Sequence, residues 1–78
     1  MDLQQAVKIR LLKLCEQRNI TINKLSTLSG ITQSTVNGLI SGTSKNPKLL
    51  TIIRICYGLG IPLKDFFDDE VFADIDDD

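Results

Sequence analysis

The stretch TINKLSTLSGITQSTVNGLISG, Thr21 to Gly42, constrains this chain more than any other part of it. It holds two short apolar-periodic stretches, each opened by a threonine and closed by a glycine. Thr21 offers an N-cap hydroxyl to a helix over about Ile22 to Ser29, with Leu25 and Leu28 inward, and Gly30 ends it. Thr32 opens a helix over Gln33 to Ser41 whose Val36, Leu39 and Ile40 form an inward i, i+3, i+4 set, and Gly42 stops it. Helices this short are marginal alone, so the pair must pack on the rest of the chain.

The remainder reads as helical too, with no run of strand-like alternation. A first helix is expected from Leu3 to Arg18, with Leu3, Val7, Leu11, Leu14 and Cys15 on one apolar stripe; Ile9 and Leu12 lie off it. Asn46 and Pro47 look like an N-cap and N1 pair opening a fourth helix, whose core face is expected to be Leu49, Ile52, Ile53, Cys56 and Leu59. Gly60 terminates it, and Pro62 starts a short fifth helix through about Phe67. The expected fold is all-α, with five helices. Residues 1–67 would form the folded domain and 68–78 an acidic C-terminal tail.

Seventy-eight residues make one domain with a modest core. The chain has no histidine, which removes imidazole bases, Ser-His-Asp triads and histidine zinc sites together. Cys15 and Cys56 both sit in apolar helical patterns, so buried, reduced thiols are expected. The opening MDLQQAVKIR holds no apolar run of signal or membrane-span length, and a cytoplasmic placement without membrane contact is expected.

Formal net charge is −1, yet that average hides a split. Leu3 to Lys64 holds nine cations against the single anion Glu16, whereas Asp65 to Asp78 holds eight anions and no cation. A basic body with an acidic end points to nucleic acid, set against the plainer reading of a solvated surface.

Two short helices joined by a tight glycine turn, with the small Ser26 after the inward Leu25, are what a helix-turn-helix needs. The outer side of the second helix carries Gln33, Ser34, Asn37 and Gly38, and amide side chains can pair with an adenine edge in the major groove. The alternative is a polar solvent face on an ordinary helical hairpin.

At this point the residues resemble a family. Leu25, Gly30, Gln33, Val36, Leu39, Gly42 and Pro47 fall, without gaps, on positions typical of the Cro/CI-type (XRE-like) repressors, whose fold is lambda-repressor-like. The ending IIRICYGLGIPLKDFF is similar to theirs, so the resemblance runs from about Leu11 to Phe67. It implies a small transcriptional regulator, a repressor by type, that binds double-stranded DNA as a homodimer without a cofactor. By position, it implies base contacts from Gln33, Ser34, Asn37 and Gly38. It implies phosphate contacts from Thr35, Thr43, Ser44, Lys45, Asn46 and Lys48.

Three positions depart from the family pattern. Ile22 stands where a phosphate-binding Gln is frequent. Gly38 inside a helix costs about 1 kcal/mol relative to alanine. Cys15 and Ile40 replace an Arg–Glu pair with apolar groups, a change that is often neutral or stabilising.

Three readings of the acidic tail stay open: solvated disorder, binding to the basic face or to a basic protein, and packing on helix one or a second subunit. A toxin–antitoxin or immunity-type regulator whose tail holds a protein partner is the rival function. A protein-binding adaptor that has lost DNA contact is another. No catalytic or metal-ligating residues are expected, since carboxylates crowd into the tail and no phosphate-binding glycine loop is present.

Overall fold

The computed structural model describes residues 1–42 and 46–76. It contains α1 (Leu3–Gln17), α2 (Ile22–Ser29), α3 (Gln33–Ser41), α4 (Leu49–Leu59) and α5 (Leu63–Phe66), then a single 3-10 turn at Glu70–Phe72. Among the described residues there is no strand. None of the helices is long and apolar enough to cross a membrane.

The helix starts follow from local hydrogen bonding. Asp2, Thr21 and Thr32 each accept, through the side chain, the backbone N–H three residues on, at 2.8, 3.0 and 3.1 Å. Each such cap contributes about 1 kcal/mol. The fourth helix departs from expectation. It begins at Leu49 with Lys48 as N-cap and no side-chain cap, so Asn46 and Pro47 lie upstream of it and do not open it.

One core joins all five helices: Val7, Leu11, Leu14 and Cys15 from α1, Leu25 from α2, Val36 and Leu39 from α3. Ile52, Ile55, Cys56 and Leu59 come from α4, and Phe66 from α5. Ile40 and Ile22 are half-buried against it. Both cysteines are free and buried, and burial pushes both thiols up, which keeps them protonated and unreactive.

Four apolar residues expected inward are instead exposed: Leu3, Leu28, Leu49 and Ile53. On α4 the sequence LLTIIRICYGL is apolar almost all round, so its periodicity fits more than one register. Packing chose the one in which Ile55 is fully buried and Ile53 points outward.

The acidic segment lies along α1. The buried Arg10 guanidinium donates from Nε to the Phe66 carbonyl and from Nη2 to the Asp65 carbonyl, both at 2.7 Å. Its Nη1 reaches Asp69 Oδ2 at 3.2 Å, an oxygen that also accepts from Lys13 Nζ at 2.8 Å. Arg10 thus supplies donors to the last carbonyls of α5, and Asp69, in extended backbone, redirects the chain into the 3-10 turn by accepting the Val71 N–H. Val71 and Phe72 therefore do not prolong α5. Phe72 instead packs with Phe66 and Phe67, ring centroids 6.0 and 5.0 Å away. Farther on, Asp76 accepts from the N-terminal ammonium at 2.8 Å and its N–H donates to the Met1 carbonyl.

The hydrogen bond from Lys13 and the Val71 N–H hold the Asp69 carboxyl below its ordinary 3.8. A lowered folded-state value stabilises the fold fully above 3.8 and loses that contribution as pH falls through the lowered value. Asp69→Asn should therefore melt below the wild type at neutral pH. The gap between the two melting temperatures should close on acidification, as followed by circular dichroism.

Candidate nucleic-acid interface

The turn between α2 and α3 is built from three residues. Gly30 adopts φ +65, the left-handed conformation that glycine takes without a Cβ penalty. Ser26, buried on α2, donates its hydroxyl to the Ile31 carbonyl at 2.9 Å, while the Ile31 N–H returns to the Ser26 carbonyl. Ile31 itself packs half-buried against the core. A larger side chain at position 26 would leave no room for this loop of hydrogen bonds.

Helix α3 is held on one side and free on the other. Val36 and Leu39 are buried, and Gln4 of α1 donates its amide to the Gly42 carbonyl at the far end. Gln33, Ser34, Thr35 and Asn37 are exposed and Gly38 is half-buried. The Thr35 hydroxyl pairs with that of Thr32 at 2.8 Å, which ties the first turn of α3 to its cap.

A second helix crossing sets the angle of this pair. A Cβ built on Gly58 of α4 would come within 2.8 Å of the Leu28 carbonyl and of Ser29 Oγ, so α2 and α4 meet backbone to backbone there. Among the described residues, the buried Ser29 hydroxyl has no hydrogen-bond partner at that crossing. Nothing in the sequence reading marked Gly58, although a glycine inside a helical pattern costs about 1 kcal/mol against alanine and so calls for a packing reason.

Between α3 and α4 lies an open cleft of about 540 Å³. Five residues expected to touch DNA line it: Ser34, Thr35, Gly38, Asn46 and Lys48. Gln33 and Asn37 stand outside it on the exposed side of α3, and Thr43, Ser44 and Lys45 lie outside the described residues. Arg54 also lines the cleft and was missed. Its signal was available: it follows Leu50 by one helical turn, on the side of α4 away from Ile52, Cys56 and Leu59, which the sequence already places inward. Among the described residues, no group of three or more Cys, Asp or Glu is placed to hold a metal ion.

The match to known proteins agrees with this geometry. The family model described as the Cro/C1-type HTH DNA-binding domain matches residues 10–71. The chain belongs to the Cro/C1-type helix-turn-helix family. A crystal structure of the prophage Lp1 protein 11 is similar over 96% of this chain and 100% of its own, with a TM-score of 0.83 and 41% sequence identity. No curated protein sequence matched significantly. As a Cro/C1-type domain, the chain carries the DNA-binding unit of a transcriptional regulator in α2 and α3, and the expected lambda-repressor-like all-α fold is the one it adopts.

Because Gly58 lets α2 sit directly on α4, Gly58→Ala should force the helices apart. Overpacking costs about 1–3 kcal/mol, against a gain of up to about 1 kcal/mol from the better helix former. A net loss of stability is expected in chemical denaturation, and a Gly58→Ala variant as stable as the wild type would refute the close crossing.

Proposed function

We propose that the protein is a sequence-specific, double-stranded-DNA-binding repressor that acts as a homodimer in the cytoplasm, with α3 entering the major groove. The observation that carries this reading is the pair of faces on α3. Val36 and Leu39 anchor it, while Gln33, Ser34, Asn37 and Gly38 line the side left open to a ligand. Gln33 and Asn37, one turn apart, offer amides that can each make paired hydrogen bonds to an adenine edge, and Ser34 adds a hydroxyl. Thr35, Asn46 and Lys48, with Thr43, Ser44 and Lys45 of the intervening segment, would hold phosphates and so set the register of α3 in the groove. Residues 1–67 form the DNA-binding unit in this reading, and 68–78 the acidic segment, whose Asp69 braces α1.

Dimer formation is supported by the outer face of α4. Leu49, Ile53 and Tyr57, spaced at i, i+4 and i+8, are 55%, 42% and 88% exposed. The protein measures 32 × 24 × 20 Å, so two copies side by side are the right size to span half-sites about 34 Å apart. Each copy would then read one half of a two-fold symmetric site.

Selection from a random duplex pool should enrich two related half-sites about one helical turn apart. Gln33→Ala should cost about 1–3 kcal/mol on that site and relax preference at one base pair. Enrichment of no sequence would defeat the reading. Ile53→Asp should give a monomer in sedimentation and weaken binding by about 2 kcal/mol or more, whereas a wild type that is monomeric both free and on its site would remove the dimer.

A further inference from the structure

We propose that Arg54 is a DNA-backbone anchor, whose guanidinium, together with Lys48, holds a phosphate in the cleft between α3 and α4. The proposal rests on the DNA-binding reading above and adds a contact from a helix outside the helix-turn-helix.

Helix α4 presents three different surfaces. Ile52, Ile55, Cys56 and Leu59 are buried in the core, and Leu49, Ile53 and Tyr57 form the outer apolar stripe. The remaining side, with Leu50, Thr51 and Arg54, lines the cleft opposite Ser34 and Thr35 of α3. Arg54 is exposed and, among the described residues, makes no ion pair. Among the described residues Lys8, Arg18, Lys24, Lys48 and Lys64 likewise make no ion pair, and what sets Arg54 and Lys48 apart is their place in the cleft. Arg10 and Lys13 are committed to Asp69, and the N-terminal ammonium to Asp76.

The chemistry of the cleft selects an anion. Among the described residues its charged lining is Lys48 and Arg54, with no carboxylate, and Ser34, Thr35 and Asn46 add hydroxyl and amide groups. Two cations lining one concave site raise its local positive potential. A phosphate is the fitting form of that anion, because the planar guanidinium donates two parallel hydrogen bonds to two phosphate oxygens. The backbone of the duplex is its source: Ser34 and Gly38 belong to the helix placed in the major groove, so a group held beside them lies at the groove's edge. The cleft is open, which lets a continuous strand cross it.

The test is the salt dependence of binding, measured on the selected duplex and on an unrelated one. Arg54→Gln should weaken both to a similar degree, by about tenfold, the equivalent of one charge-assisted hydrogen-bonded contact. The slope of log affinity against log salt should fall by about 0.9. Arg54→Lys should restore the slope but only part of the affinity, since it keeps the charge and loses the fork. Lys64→Gln, at an exposed cation on α5 outside the cleft, should match the wild type. Thermal melts should show all three variants folded, because Arg54 and Lys64 are exposed.

Wild-type affinity and slope for Arg54→Gln would overturn the proposal and leave the DNA-binding reading intact. A changed base preference at one position would also overturn it, by making Arg54 a reader of sequence. Pyrophosphate that stabilises the wild type but not Arg54→Gln, with DNA binding unchanged, would assign the cleft to a free anion and overturn the backbone contact. A wild type that binds no duplex would defeat both readings at once.

Discussion

The bond from the Ser26 hydroxyl to the Ile31 carbonyl, closed around the left-handed Gly30, holds the geometry on which everything else at the interface depends. Helices of 8 and 9 residues have little stability of their own. Their mutual angle cannot come from helix propensity. It comes from a turn that satisfies its own backbone groups, from Leu25 and Val36 buried completely on either side of it, and from Gly58, which lets α4 come close enough to support α2. With those three in place, α3 is held from behind, and its exposed side carries Gln33 and Asn37, whose amides the proposed function makes readers of base edges.

Charge is used in two separate ways. At the α1 end, Arg10 is a structural cation, donating to the carbonyls that close α5 and to Asp69, and so converting the start of the acidic segment into a brace. At the α4 end, Lys48 and Arg54 border a cleft that, among the described residues, no carboxylate lines. The near-neutral total therefore says little about the field at the interface, because anions and cations are sorted by position. Counting Arg10 and Lys13 in full with the basic body overstated the charge available there, since both pair with Asp69, whose one negative charge offsets one of the two.

Much of the fold could be read directly from the chain. Thr21 and Thr32 as caps, Gly30, Gly42 and Gly60 as stops, and the helix between each pair all depend on hydrogen bonds within a few residues, which the order of side chains specifies. The exposed side of α3 was legible for the same reason: once Val36 and Leu39 are inward, the helical period places Gln33, Ser34 and Asn37 outward. The family resemblance carried the rest of the expected interface, including Thr35, Asn46 and Lys48.

Other properties were decided only by tertiary packing. Burial on an apolar helix depends on which neighbour arrives, so LLTIIRICYGL could not reveal by its period that Ile55 goes in while Leu49, Ile53 and Tyr57 stay out. Nor could two arginines be told apart as residue types, although Arg10 meets the end of α5 across 56 residues of chain and Arg54 meets a cleft. Local hydrogen bonding is a property of neighbours in sequence, and the sequence alone determined it. Burial, close helix approach and ion pairing are properties of neighbours in space, and only the folded chain brought those together.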